Sequence, residues 1–271
     1  MSPEHSGANN PGRLEKLGLQ TIKQHQSVCG DHTFDPAAMS YRSNKKPLPI
    51  FITFEGIDGS GKTTQLHRLA DYARHTYDVE VITTREPGGS AVGRLIRDIL
   101  LGDTGRDTEI DPYTQVMLFA ADRVAHMEHV IKPALQSGAW VFCDRWEDST
   151  RAYQGAGNQL TTSAEDADYV ESLITMARRD ILPDATFLLD IPAELSAARV
   201  TGRGATKDRF EQQDLTFRQR VRDAYLQLHA DPQRQNSWPM YRVDAQPSID
   251  AIHHALRYGL DQVIDQHLTT P

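Results

Sequence analysis

From Pro49 onward the chain alternates two apolar patterns. Short unbroken runs, rich in β-branched and aromatic residues, fall at 50–55, 79–84, 139–144, 185–190 and 240–244. Runs of that length, apolar at consecutive positions, predict strands buried on both faces. Between them apolar residues recur at three- and four-residue spacing, which predicts helices. The first helix carries Leu66, Leu69, Ala70 and Ala73. Others are expected from Ser90, a cap candidate, to about 101, over 112–136 with Pro112 in the first turn, and over 163–180 and 192–200. Two more are expected over 211–229, with Leu215, Val221, Tyr225 and Leu228 on one side, and over 248–267 with Ser248 as cap. Five strands alternating with helices predict an α/β fold, a doubly wound five-stranded parallel sheet flanked by helices, with right-handed crossovers. Ligands of such sheets gather at the strands' carboxyl ends.

One of those ends carries Gly56-Ile57-Asp58-Gly59-Ser60-Gly61-Lys62-Thr63, which fits the phosphate-cradling pattern G-x-x-x-x-G-K-[ST]. The glycines let backbone N–H groups turn inward around a polyphosphate, and the next helix aims its positive end there. Lys62 would reach the terminal phosphates and the Thr63 hydroxyl would hold Mg²⁺. A chance match in a chain of this length arises about once in a hundred, and the strand and helix flanks lower that further.

Residues 1–48 are rich in Gly, Asn, Ser, Gln, His and Pro and show no apolar period. They are expected to be a disordered polar extension, with at most a short helix over 13–25. A misassigned start codon would account for them equally well. They lack a signal peptide's apolar stretch, and acidic residues interrupt any basic amphipathic face of a transit peptide. Net charge is −8, with +2 in residues 1–48 and −10 in the rest. An acidic chain is not expected to bind nucleic acid generally, so a phosphate site must be a local basic concentration. No apolar run approaches 18 residues, so no membrane span is expected. The two cysteines, Cys29 and Cys143, give no disulfide framework and suggest a reducing compartment, the cytoplasm. Cys143 lies in an apolar run and is expected to be inert core.

A phosphate loop alone does not distinguish a GTPase, a motor and a kinase. The Asn-Lys-x-Asp guanine reader of GTPases is missing; Asn44-Lys45 is followed by Lys46-Pro47. Instead the loops carry Arg85, Arg123, Arg145, Arg203 and Arg209. Transfer between two nucleotides brings several phosphates into one cleft and needs many fixed cationic donors.

Five stretches then fall in a telling order: Phe54-Glu55-Gly56 through Thr64, Thr84-Arg85-Glu86-Pro87-Gly88-Gly89, Leu118-Phe119-Ala120-Ala121-Asp122-Arg123, Asp144-Arg145 with Ser149 to Gly155, and Asp208-Arg209-Phe210-Glu211. On these, residues 49 to about 267 resemble the thymidylate kinase family, three-layer P-loop kinases that phosphorylate dTMP to dTDP with MgATP. The resemblance implies a kinase domain over 49–271 with a lid at about 201–210. It implies that the loop residues Gly56, Ile57, Asp58, Gly59, Ser60, Gly61, Lys62, Thr63 and Thr64 bind ATP, with Arg199 on the adenine. Asp58 would take the dTMP 3′-hydroxyl, and Arg85 and Arg145 its phosphate. Phe119 would stack on thymine and Arg123 would bond its edge. Thr150 and Gln154 would read the base, and Tyr153 would crowd the sugar's 2′ position. Asp144 would act on Mg²⁺ beside Thr63. Gly59 and Ser60 bring no charge into the loop, so transition-state charge falls to the lid's Arg203, Lys207 or Arg209, as in the bacterial subgroup.

The resemblance also implies a homodimer, for which the apolar side of the 112–136 helix is a candidate surface; it reads equally as core. Two residues depart from the family pattern. Trp146 stands where Tyr or His is usual, and Arg151 lies beside the base-reading loop; both bear on the preference for dTMP over dUMP. Read singly, Phe119 on a helix is more often core, Asp144 can be a helix cap and Arg85 a surface charge. Their joint placement favours the site reading. A kinase of another nucleoside monophosphate is the nearest alternative, followed by a nucleotide-binding module without catalysis.

Overall fold

The computed structural model describes residues 48–102, 109–202 and 210–269. In chain order the elements are β1 (Phe51–Glu55), α1 (Lys62–Tyr77), β2 (Val81–Arg85), α2 (Ala91–Leu101), α3 (Pro112–His126), a π-helical turn (Met127–Ile131), α4 (Lys132–Gln136), β3 (Trp140–Asp144) and α5 (Glu147–Ser149). A second π-helical segment (Thr150–Gly157) follows, then α6 (Ala164–Arg178), β4 (Ala185–Asp190), α7 (Ala193–Gly202), α8 (Leu215–Ala230), α9 (Pro232–Ser237), β5 (Met240–Asp244) and α10 (Ile249–Thr269).

The sheet has five parallel strands in the order β2-β3-β1-β4-β5. Burial follows that order. Every residue of the interior strands β1 and β4 is buried, whereas β2 and β5, at the edges, are partly exposed. This is why the central strands read as unbroken apolar runs: helices cover both of their faces. Phe54, Phe142 and Phe187 pack together between the strands, and Leu66, Leu69 and Ala73 of α1 close one layer over them. Register aligns the functional ends. Phe54 pairs with Asp144, and Asp144 with Arg85, so the loops after β1, β2 and β3 open side by side.

The caps fall where expected. Ser90 accepts from Gly93 N–H and Ser248 from Ala251 N–H, and Pro112 sits in the first turn of α3 behind the Asp111 cap. Three expectations are corrected. The 112–136 helix is interrupted by the π turn at Met127–Ile131, which brings both Met127 and Ile131 onto the buried side. Val221 and Tyr225 are buried as expected, joined by Phe217 and Ala224, but Leu215 is exposed, because the Asp214 cap makes it the first residue of α8. The lid span begins inside α7, which runs to Gly202. Residues 203–209 and 1–47, all but the last residue of the polar extension, lie outside the described residues, as does Cys29. Cys143 is buried, and burial pushes its thiol pKa well up, as expected of core. Among the described residues no helix is long and apolar enough to cross a membrane.

Candidate active site

A cleft of about 490 Å³ opens at the carboxyl ends of β1, β2 and β3. It is lined by the phosphate loop, by Arg85 to Gly89, by Phe119 and Arg123 of α3, by Asp144 to Trp146 and by Ser149 to Gln154. The ends of three strands and one face of α3, far apart in sequence, thus share one site.

The loop's shape needs its glycines. Gly56 has φ +136°, and a Cβ there would lie 2.3 Å from the Leu189 carbonyl oxygen. Inside the loop Lys62 folds back, donating to Gly56 O at 2.9 Å and Ile57 O at 3.1 Å. Burial lowers its pKa to about 8, with the Arg145 charge adding to the effect and Asp144, Asp58 and Glu55 opposing it. Thr63 donates to Asp144 across 2.5 Å. A hydroxyl and a carboxylate side by side beside a phosphate loop are the hard oxygen donors Mg²⁺ takes.

Arg145 occupies the middle. It has φ +74°, a left-handed conformation uncommon outside glycine. Its Nη2 bonds Asp58 at 2.5 Å and the Tyr153 hydroxyl at 2.9 Å, while Nη1 bonds Gly56 O, Ser149 and Tyr225. Tyr153 donates to the other Asp58 oxygen at 2.9 Å. Burial alone would raise the pKa of Asp58; the charges of Arg145 and Lys62 and the Tyr153 hydrogen bond overcome that and bring it to about 2. Arg85, beside Asp144 at the end of the neighbouring strand, is exposed and has no ion-pair partner among the described residues.

Phe119 is half-buried, 6.0 Å from the Phe210 ring, which also meets Tyr153 edge-on at 5.9 Å. Below it Arg123 is buried, with Nε on Glu86 at 2.9 Å, Nη2 on Thr150 at 3.0 Å, and its guanidinium 5.1 Å from the centre of the Trp146 ring. Arg123 Nη1 and Gln154 Nε2 are buried and have no protein partner. A buried donor left unpaired costs about 1–3 kcal/mol, so two of them beside one cavity mark acceptors that a ligand brings.

Arg199 stands apart from the cleft's lining. It donates to Gly59 O, Ala245 O and Gln246 O, bracing the loop's outer edge. Thr64 lines the cleft, whereas Ile57 and Ser60 are buried inside the loop. Arg203 and Arg209, like Lys207, lie outside the described residues. Arg151 points away from the site into an acidic set, Glu147, Asp148 and Glu171, and so ties the base-facing segment to α6.

Three residues that sequence reasoning left without a role support this arrangement. Glu86 accepts from both Arg123 and His126. Glu55 is buried under Arg145; burial and the Asp148 charge push it up to about 7, against Arg145 and the donors Ser149 and Tyr225. The available cue was a carboxylate closing an apolar strand, since a buried charge must find partners. Asp122 accepts from Gly88 N–H at 2.9 Å while its other oxygen is unpaired.

Burial, with the Glu86 charge, pushes Asp122 up to about 7 from its ordinary 3.8. The unfolded chain releases this proton at the lower value and the native state at the higher. Stability is therefore lost as pH rises between the two, and the loss persists above. Asp122→Asn keeps the Gly88 bond and removes the buried charge. It is expected to melt about 3 °C or more above the parent at pH 8, the gap narrowing at pH 5. Equal melting at both values would contradict the assignment.

A family model described as thymidylate kinase matches residues 54–256. A protein named thymidylate kinase from Magnetococcus marinus is 41% identical over 203 residues, covering 74% of this chain and 90% of its own. One of the same name from Bifidobacterium longum is 40% identical over 217 residues, covering 79% and 98%. The crystal structure of thymidylate kinase from Ehrlichia chaffeensis superposes with a TM-score of 0.59 at 32% identity, covering 79% of this chain and 99% of that one. With a family model spanning most of the folded region and relatives covered almost end to end, the chain belongs to the thymidylate kinase family.

Proposed function

We infer that the chain is a phosphotransferase that phosphorylates dTMP to dTDP with ATP, the activity residing in residues 49–271. The observation that carries the reading is the convergence of Lys62, Asp58 and Arg145 with Arg85 and Phe119 in one cleft. The loop holds the triphosphate, with Lys62 turning from its own carbonyls to the β- and γ-phosphates. Arg85 and Arg145 bracket the acceptor phosphate, Asp58 takes the 3′-hydroxyl, and Tyr153 fills the space a 2′-hydroxyl would need. Phe119 faces the base, and the unpaired donors of Arg123 and Gln154 support recognition of its edge. An acceptor phosphate oxygen attacks the γ-phosphorus as the bond to the β-bridging oxygen breaks, and the leaving charge stays on ADP. Such a transfer needs alignment and neutralised charge rather than covalent help. Thr63 and Asp144 would hold Mg²⁺, which would supply charge screening for the triphosphate. Arg199 braces the loop on the adenine side, and Arg203 and Arg209 bring the remaining charge.

Two further features belong to this reading. Val92, Leu95 and Ile99 of α2 and Tyr113 and Met117 of α3 leave a large apolar area exposed on two neighbouring helices, which fits a homodimer face. The acidic chain, at net charge −8, favours small-molecule substrates over nucleic acid and suits a cytoplasmic enzyme.

An acceptor profile tests the assignment. With MgATP, kcat/KM is expected to be highest for dTMP and lower by about tenfold or more for dUMP, UMP and dCMP, since a missing methyl or an added hydroxyl changes transition-state binding by a few kcal/mol at most. A better acceptor among the others would reassign the substrate, and turnover with none would leave a binding module.

A further inference from the structure

Arg145 is held in an uncommon backbone conformation and its guanidinium rests on hydroxyls rather than on a carboxylate at that end. Both features trace to one buried side chain. Glu55 Oε1 accepts the Trp146 N–H at 2.8 Å and the Ser149 N–H at 3.2 Å, pinning the turn that follows Arg145. Glu55 Oε2 lies 2.6 Å from Ser149 Oγ and 2.7 Å from the Tyr225 hydroxyl, which are themselves 2.8 Å apart.

An ionised Glu55 accepts both hydroxyl hydrogens of this triangle. Two hydroxyls own two hydrogens for three edges. With both hydrogens aimed at the carboxylate, the Ser149 and Tyr225 oxygens turn their lone pairs outward, and Arg145 Nη1 meets them at 3.1 and 3.3 Å. Had either hydroxyl pointed its hydrogen at Arg145, the contact would be donor against donor. The charged groups facing Glu55 from its neighbours are Arg145, Asp148 and Lys62, with Tyr225 on α8 and Cys143 on β3.

We propose that Glu55 is a positioning residue for the acceptor phosphate: through Ser149 and Tyr225 it orients the Arg145 guanidinium, and through two backbone N–H groups it holds the turn that presents it. Glu55 touches neither substrate. The inference rests on Arg145 holding the dTMP phosphate. The Glu55 carboxylate bonds Trp146, Ser149 and Tyr225, and makes no direct bond to Lys62 of the triphosphate loop or to Phe119, Arg123 and Gln154 of the base pocket.

The test uses Glu55→Gln in the full chain. An amide cannot accept on both ends, so either the turn or the hydroxyl pair loses its acceptor. KM for dTMP is expected to rise about tenfold or more. KM for ATP, and the inhibition constant of thymidine, which lacks the phosphate, should stay within about twofold. Arg145→Met should also raise KM for dTMP, and the double variant should be no worse than Arg145→Met alone, since the two act as one unit. Tyr225→Phe removes one of the two acceptors with little change in packing and should shift dTMP in the same direction by less; it carries the test if the Gln variant does not fold. Equal losses for dTMP, ATP and thymidine, or additive losses in the double variant, would make Glu55 merely structural and overturn the inference. If Arg145→Met impairs dTMP binding and Glu55→Gln does not, the inference alone fails. If Arg145→Met leaves dTMP binding intact, the phosphate reading fails and takes this one with it.

Discussion

Lys62→Ala is expected to lower turnover by on the order of 10²-fold or more while the protein stays folded. The side chain is buried in the phosphate loop and its ammonium is held by the Gly56 and Ile57 carbonyls. Lys62 itself lines the cleft, so water can take the place of its ammonium and the fold loses little. What is lost is a charge fixed where negative charge accumulates in transfer. The depressed pKa of Lys62, about 8, adds a signature. Above that pH the empty site is partly neutral, and a bound triphosphate favours the charged form, so ATP binding takes up protons. Calorimetry at pH 8.5 in buffers of different ionisation heat should detect that uptake in the parent and find it missing in the alanine variant. Near-normal turnover in Lys62→Ala would remove the residue from the mechanism.

Arg145→Ala is expected to lower kcat/KM for dTMP by on the order of 10³-fold or more and to lower the melting temperature as well. Arg145 satisfies Asp58, Tyr153, Ser149, Tyr225 and Gly56 at once. Removing it leaves the Asp58 carboxylate without the guanidinium that overcomes its burial, so its pKa should climb from about 2. Breaking one partner of a largely buried pair costs roughly 3–5 kcal/mol, which separates this residue from the exposed Arg85. Losing Arg85 should affect substrate affinity with little change in melting. A variant of Arg145 that bound dTMP normally but failed with ATP would place it on the donor side and contradict the account.

How much of this was legible beforehand depended on range. β4 read out to the residue, because a strand covered on both faces leaves an unbroken apolar run, and the partly exposed edge strand β5 also matched its expected bounds. The phosphate loop was legible because its function demands glycines and one lysine at fixed spacing. The Thr150–Gly157 segment was not read as helical, since two glycines lower its helix propensity. It coils because α8 packs on it so closely that a Cβ on Gly157 would lie 2.8 Å from the Phe217 ring. The π turn in the helix after Pro112 was hidden for a related reason: its residues keep an apolar spacing that an unbroken helix would also show. Least legible were the buried charges. Glu55 with Tyr225, Asp148 with Arg234 and Arg123 with Glu86 are pairs across long stretches of chain, and no local pattern marks them. Arg151 looked like a departure in the base-reading loop; only its three acidic partners reveal it as a brace.

The central claim is that donor and acceptor lie end to end in one cleft, phosphate chains meeting between Lys62 and Arg145. Inhibition by an adenosine and a thymidine joined 5′ to 5′ through five phosphates tests it most directly. The account predicts competition against both ATP and dTMP, and binding tighter than either nucleotide alone. Competition against only one of them, with affinity no better than that nucleotide's own, would contradict it.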